Sequence, residues 1–415
     1  MLKYLVQTTI DLIGIMLMTG IICGYAANRN KRVGVRFMQA GVILGVVSAI
    51  AMSIMKNATS KINTGWWNLG IYSVTAGAFV LFLLFSALRK PLKKAAPYLT
   101  SAMLAVIVCM LLFYGLPDVL AYPYTVYVTE YTVLSTTFIT KTIGVILGLA
   151  LGFIAALSVG KAATRVKPGL VFALLSGMLL ANTVKTAATS FSFLLARRLI
   201  TNNHTMFVFA KYCSNYVLVF SYIHMALSCV IALTLWVLSF HVNEPYENPA
   251  QHRKIRAKRR SNRRWSTSLI VCCVLSVCVL TFINAYANKE VELSPIEDAL
   301  IEDGAVKVSF EQVNDGHLHR FGYTTDSGTT IRFIIIQKPN SSAYGVGLDA
   351  CDICGETGYY EKGGQVVCNL CDVVMNINTI GFKGGCNPIV IDYSIQNGYI
   401  IVPIEGLLEY ESEFK

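Results

Sequence analysis

The chain has 415 residues, of which 54% are hydrophobic and 14% are charged, with a formal net charge of +11. Soluble domains average about 25% charged residues, so the composition excludes a wholly soluble protein. The charge is divided unevenly, because residues 288–415 hold 19 of the 24 acidic and 8 of the 35 basic side chains. We therefore expect two domains in different surroundings, a basic one at 1–287 and an acidic one at 288–415.

Eight apolar runs are each long enough to cross a membrane as a helix, since about 20 residues span the hydrocarbon core. Backbone in lipid must satisfy its own hydrogen bonds, so we predict an α-helical polytopic membrane bundle. The runs cover approximately residues 4–26, 34–55, 66–88, 98–117, 133–159, 169–196, 206–240 and 266–287. The first run lacks a small-residue cleavage site, so we interpret it as a retained helix rather than a signal peptide.

Lysine and arginine alternate in density between successive connecting segments. Four segments, at 27–33, 89–97, 160–168 and 241–265, hold 18 of these bases, while the alternate segments hold 4. Basic loops stay in the cytoplasm, so we expect a multi-pass protein of the plasma membrane with both its N-terminus and its C-terminal domain outside. The basic cytoplasmic loop 241–265 is interpreted as a topology anchor that also touches anionic lipid.

Three ionisable residues, Asp11, Lys141 and Lys185, fall inside the apolar runs. Charges in the membrane are costly and usually have a partner or a function. Threonines flank both lysines, which suggests a polar intramembrane site open to the outer side. The alternative is an ordinary buried ion pair between Asp11 and one lysine.

After residue 288, glycines, acidic residues and short alternating segments replace the apolar runs. Turn signals such as NDG at 314–316 and DSG at 326–328 separate candidate strands. The candidate strands are 305–310, 320–323, 330–337, 365–367, 389–395 and 399–403. We predict a small, mostly β, extracytoplasmic metal-binding domain.

Two CxxC motifs stand within this domain, CDICG at 351–355 and CNLCD at 368–372. Each such knuckle directs two sulfurs at one ion, so Cys351, Cys354, Cys368 and Cys371 form a candidate four-thiolate metal site. The alternatives are redox-active or structural disulfides, since thiols outside the cytoplasm can oxidise. Cys386 makes the number of cysteines in this domain odd, so at least one would stay unpaired.

Further ligands are available nearby. His317 and His319 are two residues apart and would face the same side of a strand. With Cys386, or with Met375 as a soft ligand, they could form a second, harder or copper-like site. Histidines on the surface of a strand are the ordinary alternative.

The segments LHRFGY at 318–323, ACDICG at 350–355, VCNLC at 367–371 and NINTIGFKGGCNP at 376–388 occur in this order. In this respect the domain resembles the C-terminal domain of the FtrD-like membrane iron–sulfur protein family. The resemblance implies a component of a bacterial iron-uptake system that works beside an iron permease and extracytoplasmic metal-binding proteins. It also implies that the four knuckle cysteines bind an iron–sulfur cluster, and it leaves the roles of Cys386 and His319 unsettled.

Clusters are normally assembled in the cytoplasm, whereas this domain is expected outside, where folding can capture a single ion directly. The cofactor is therefore expected to be an iron–sulfur cluster or one thiolate-bound ion of iron, zinc or copper. Our first hypothesis is a metal or redox protein that relays electrons or metal to the permease. The alternatives are a transporter with a zinc-stabilised outer docking domain and a membrane thiol oxidoreductase. No hydrolase or transferase motif is present, so any enzyme activity would be electron transfer.

Overall fold

The structure is a computed structural model, and the chain divides into two compact units, Met1–Asn288 and Lys289–Lys415. It describes residues 1–29, 32–59, 62–91, 95–130, 136–200, 204–240, 245–287, 293–339, 341–362, 364–370, 373–382 and 387–414. Each unit has a hydrophobic core of its own.

The first unit is helical. Its elements are α1 Leu2–Arg29, α2 Val33–Ala58, α3 Thr64–Ala87, α4 Ala96–Glu130, α5 Thr136–Ala163, α6 Pro168–Ala196, α7 His204–Asn215, α8 Val217–Leu238, α9 Pro249–Cys278, a π-helical turn Val279–Ile283, and α10 Asn284–Ala287. Among the described residues, eight helical spans are long and apolar enough to cross a membrane. This confirms the predicted polytopic helical bundle.

The centre of the bundle is α1, whose tight packing against α5 depends on glycine. A side chain at Gly20 would collide with the carbonyl oxygen of Ala156, and one at Gly24 would collide with that of Gly160. Small residues at such interfaces let two helix backbones approach closely, which is how membrane helices gain packing energy without a hydrophobic driving force. The glycines of α1 and α5 therefore determine how these two helices associate.

The structure differs from the sequence interpretation at two helices. The long seventh run is divided into α7 and α8, with a break at Tyr216. Residues 249–265, which we expected in a loop, are helical and continue into the last span. The Asn248 side chain accepts a hydrogen bond from the Gln251 amide at 2.8 Å and Pro249 occupies the first turn, so this helix has a well-formed start before the basic run.

The second unit consists of small antiparallel sheets. Its strands are β1 Leu300–Glu302, β2 Ala305–Ser309, β3 His319–Thr324, β4 Thr330–Gln337, β5 Tyr344–Leu348, β6 Tyr359–Lys362, β7 Gln365–Cys368, β8 Val374–Met375, β9 Ser394–Gln396 and β10 Tyr399–Pro403. Two short helices complete it, α11 Phe310–Val313 and α12 Ile404–Leu408. The described strands form three sheets in the orders β1-β2-β10-β9, β3-β4-β5 and β6-β7-β8. This confirms the predicted small β domain.

The β3-β4-β5 sheet has apolar side chains on both faces. Along β4, Phe333 and Ile335 belong to the larger core, whereas Ile334 and Ile336 belong to a smaller one. Successive side chains of a strand point to opposite faces, so this sheet separates the two cores. The smaller core contains the knuckle cysteines, and we call it the cysteine core; its buried members are Leu318, Ile334, Ile336, Cys351, Tyr359, Val366, Cys368, Met375 and Ile380.

Four short strands, β1, β5, β6 and β8, were not among the predicted ones. The predicted strand at 389–395 is instead confined to Ser394–Gln396. Pro388 lacks an amide hydrogen, and Ile389 makes two isolated bonds, donating to Ala350 and accepting from Leu348. The segment therefore passes along the sheet without forming a regular ladder.

Candidate thiolate metal centre

The first knuckle is a tight turn closed by its own backbone. Cys351 and Gly355 exchange two hydrogen bonds, with N···O distances of 3.2 and 2.9 Å. Gly355 has φ +65°, a conformation that glycine adopts without strain. Inside the turn, the Cys354 amide donates to the Cys351 sulfur at 3.1 Å. An amide bond of this kind stabilises a thiolate, because it favours the charged form of the sulfur.

The second knuckle begins where β7 ends. Cys368 lies opposite Tyr359 in the β6–β7 ladder, and its amide donates to the Val373 carbonyl at 3.0 Å. The following Asn369 bonds the first knuckle's loop, with its amide to the Gly358 carbonyl at 3.0 Å and its side chain to the Thr357 carbonyl at 3.3 Å. The loops are thus joined directly, while Cys371 lies outside the described residues.

The cysteine core places these sulfurs in apolar surroundings. Cys351 is 2% exposed and Cys368 is 1% exposed, and Cys354 packs against the same cluster at its edge. Cysteine is often buried as a small apolar residue. Here three cysteines from two separate loops belong to or pack against one small core, which brings the two knuckles together.

A buried ion pair anchors the first knuckle. Asp349, two residues before Cys351, is fully buried, and its Oδ2 accepts from the Arg320 Nε at 2.8 Å. Arg320 is 1% exposed and also donates to the Ser294 carbonyl and to the Tyr359 carbonyl. The other Asp349 oxygen accepts from the Tyr359 amide at 2.8 Å. Because Tyr359 pairs with Cys368, this ion pair connects the first knuckle to the strand that presents the second.

Arg332 and Gly358 complete the anchor. Arg332 donates from Nε to Asp349 at 3.3 Å and from Nη2 to the Glu356 carbonyl at 2.5 Å. Gly358 has φ +76°, and a side chain there would meet the Asp349 carboxylate. Each charged or polar atom of the pair that we describe has a partner, which is the condition under which buried charge is tolerated.

Sequence reasoning did not identify Arg320, Asp349 or Asn369 as supporting residues. Arg320 lies on a strand beside the buried Phe321, so alternation would place it on a solvent face. That face is covered by the cysteine core, which the cysteine spacing alone does not reveal. The only local signal is the position of Asp349, an acidic residue just upstream of the first knuckle.

The two candidate histidines do not face one ligand position. His317 precedes β3 and its Nδ1 lies 3.0 Å from Glu361. His319 begins β3, with Nδ1 3.0 Å from Glu297 and Nε2 2.8 Å from Asp315. Both ring nitrogens of His319 therefore face carboxylates on opposite sides of the ring.

These carboxylates affect the histidine pKa values. Burial by itself lowers the pKa of His319, but its hydrogen bonds to Asp315 and Glu297 and their negative charges raise it overall. Hydrogen bonding to Glu361 raises the pKa of the exposed His317. The two carboxylates beside His319 favour the charged imidazolium form of its ring.

Met375 joins the cysteine core at 6% exposure, whereas Cys386 lies outside the described residues. Cys351, Cys354 and Cys368 form no disulfide with one another. Within the described part of the chain, no three histidine, cysteine or acidic side chains converge on one metal position. The donor chemistry still fits a soft metal, since the first knuckle has an amide-to-sulfur hydrogen bond. The second knuckle is hydrogen-bonded to the loop of the first, and apolar side chains surround both.

In the helical unit, Asp11 forms a polar site with neighbours other than a lysine. Its carboxylate accepts from the Tyr122 hydroxyl at 2.7 Å and from the Gln7 amide at 3.1 Å. Lys185 lies within electrostatic range of Asp11, but no ion pair joins them within the described residues. Lys141, half-buried on α5, has interactions of its own.

Comparison with known proteins gives one result. Residues 313–414 match the family model described as "Membrane iron-sulfur containing protein FtrD-like". The match covers most of the second unit and about a quarter of the chain. A search of curated proteins and a search of solved structures each gave no match. Residues 313–414 of the second unit are therefore similar to the FtrD-like family, as the knuckle motifs predicted, and the chain also contains a polytopic membrane bundle.

Proposed function

We propose that this membrane protein holds a redox-active or transferable metal at Cys351, Cys354, Cys368 and Cys371. In this proposal it relays electrons or metal ions for a bacterial iron-uptake system. The observation that supports the proposal is the packing of three knuckle cysteines from two loops in or against one apolar core, together with the iron–sulfur description of the matching family. A structural zinc site alone would not explain a link to iron–sulfur chemistry.

An iron centre bound here would supply one-electron chemistry, and its potential would depend on the residues around it. The Cys354 amide would stabilise negative charge on the Cys351 sulfur, and the apolar neighbours would exclude water from it. Asn369 and Asp349 would position the two knuckles against each other. Both an iron–sulfur cluster and a single thiolate-bound ion are compatible with these roles.

The second unit would lie outside the cytoplasm beside an iron permease and extracytoplasmic metal-binding proteins. Its excess of acidic residues supports this proposal, because a negative surface raises the local concentration of cations. The basic segment between α8 and the last membrane span supports the orientation, since such segments stay in the cytoplasm.

The test is the metal content and visible spectrum of the purified full chain produced in a bacterial host. We expect iron with thiolate charge-transfer bands that bleach on reduction, and loss of both in a variant carrying serine at all four knuckle cysteines. Cys278→Ser, which removes a thiol from the end of α9, is the control and should retain the metal. A colourless protein with zinc at these cysteines, or iron that survives in the four-serine variant, would contradict the proposal.

A second function is favoured by the Asp11 site, namely an ion or proton path through the bundle. A carboxylate bonded to Tyr122 and Gln7, with no ion pair among the described residues, is unusual in a membrane span. Asp11→Asn preserves the shape and can still accept from Tyr122, so it should leave the fold intact. In reconstituted vesicles it should abolish cation uptake if the path exists, while unchanged uptake, or none in the wild type, would exclude the path.

A further inference from the structure

A small polar cavity lies where the ends of α1, α3 and α4 meet. It has a volume of about 60 Å³ and opens between the last residues of α1 and α3 and the first turn of α4. Its polar lining is supplied by Tyr25, Arg29, Ser86, Arg89, Thr100 and Ser101. These positions stand at the ends of three membrane spans, which is the level of the lipid headgroups.

The charge of the cavity is positive and has no counter-charge in the described structure. Arg29 and Arg89 both line it, and no described carboxylate pairs with either guanidinium. The N-terminus of α4, a helix of 35 residues, adds the positive end of its dipole. Both arginines are exposed to solvent, so an anion can reach the cavity between them.

Hydroxyl groups of two largely buried residues, Ser101 and Tyr25, complete the lining. Ser101 is 6% exposed and Tyr25 is 5% exposed, and neither hydroxyl has a hydrogen-bond partner among the described residues. Thr100 differs, because its hydroxyl donates to the Ala96 carbonyl at 2.7 Å. Neither hydroxyl is among the fully buried atoms without a partner, so both are accessible from the cavity, where an oxygen-rich ligand can hydrogen-bond them.

We propose that this cavity binds a phosphate group, held by Arg29 and Arg89 and hydrogen-bonded by Ser101 and Tyr25. Arginine suits this role because its planar fork matches phosphate oxygens. The position at the membrane interface favours the headgroup phosphate of an anionic phospholipid, and basic pockets between membrane helices bind such headgroups. Inorganic phosphate has the same chemistry and is the other possible source. The site is separate from the thiolate centre and does not depend on its function.

The experiment measures the thermal unfolding of the purified full chain in mild detergent during titration with dioleoylphosphatidylglycerol, dioleoylphosphatidylcholine or inorganic phosphate. We expect phosphatidylglycerol to raise the Tm saturably and phosphatidylcholine to have a much smaller effect. In the Arg29→Gln/Arg89→Gln variant, the apparent affinity for phosphatidylglycerol should fall at least tenfold. Protection by inorganic phosphate that is lost in the same variant would support the site and identify a free anion as its ligand.

Two further variants separate binding from general charge and from folding. Lys161→Gln/Lys167→Gln removes the same charge from residues that do not line the cavity, and it should titrate like the wild type. Ser101→Ala retains both arginines, so it should fold normally and bind severalfold more weakly. Equal protection of the wild type and the double arginine variant, or no protection of the wild type by either phosphate source, would overturn the proposal.

Discussion

The two units of this protein satisfy their buried polar groups in different ways. In the helical unit, several buried hydroxyls bond within their own helix, as when Thr75 donates to the Ile71 carbonyl at 2.7 Å and Ser228 to the His224 carbonyl at 2.8 Å. In the second unit, Arg320 and Asp349 bond across strands and loops that are distant in sequence. A helix completes its backbone hydrogen bonds alone, whereas short strands and knuckles need side chains to connect them.

This difference shows where each unit is vulnerable. The stability of the helical unit depends on the close packing of helices at glycine residues, so it should be sensitive to side-chain volume added at those glycines. The second unit depends on a few buried polar connections, so it should be sensitive to the loss of one partner. The predictions below test this contrast, beginning with the largest expected effect.

Asp349→Ala should destabilise the second unit most. It leaves the buried Arg320 guanidinium without its carboxylate, and breaking a buried ion pair on one side costs about 3–5 kcal/mol. Pulse proteolysis of the full chain in urea, following cleavage within the second unit, measures the change. Lys307→Gln, which removes ion pairs with the exposed carboxylates of Asp303 and Glu302, is the control and should have little effect. Equal stability of Asp349→Ala and the control would contradict the proposed anchor.

Gly20→Ala should destabilise the helical unit by an intermediate amount. The added methyl group would collide with the Ala156 carbonyl oxygen, and overpacking of this kind costs about 1–3 kcal/mol. Gly77→Ala is the matched control, because a side chain at Gly77 meets nothing within 4 Å. The measurement is the Tm of the helical unit in detergent, which should fall for Gly20→Ala and stay unchanged or rise slightly for Gly77→Ala. A fall in both variants would show that helix flexibility, rather than α1–α5 contact, is what the substitution changes.

The pH dependence of the second unit should show a smaller effect. The folded-state pKa of His319 lies above that of an unfolded histidine, which is about 6.5. Its contribution to stability is therefore complete below that value and is lost as the pH rises through the folded-state pKa. We expect the free energy of unfolding of this unit to fall as the pH rises above about 6.5, and this decline to be weaker in His319→Gln.

His317→Gln provides the comparison, because His317 is exposed and bonds one carboxylate rather than two. It should alter the pH dependence less than His319→Gln does. A wild-type stability that rises over this pH range, or identical profiles for the two variants, would contradict the charged state assigned to His319.

The fold was largely predictable from patterns that act over short distances. A run of about 20 apolar residues in lipid is expected to form an α-helix, so the eight membrane spans could be predicted from the sequence. The break at Tyr216 and the strands β5, β6 and β8 were not predicted, because packing between distant segments decides them. Strand β5 illustrates this, since YGVGL carries two glycines and is buried at every position by its neighbours.

The candidate site was predictable in its ligands but not in its support. The CxxC spacing identifies sulfurs that can bind one ion. The match to the family model confirms the resemblance to FtrD-like proteins that the motifs indicated. No sequence rule pairs Arg320 with Asp349, or Asn369 with the loop of Gly358, because each contact joins elements brought together only by the fold. The metal-ligand roles of all four knuckle cysteines, Cys386, Met375 and the two histidines stay predictions.

X-ray absorption at the edge of the bound metal in the purified full chain tests the central claim most directly, because it counts the sulfur atoms around the ion. We predict four sulfur neighbours in the wild type at about 2.3 Å, the usual metal–thiolate distance. In Cys368→Ser, one of these should be replaced by a lighter atom or the metal should be lost. A first shell of nitrogen and oxygen, or a spectrum unchanged by Cys368→Ser, would contradict a thiolate centre in the cysteine core.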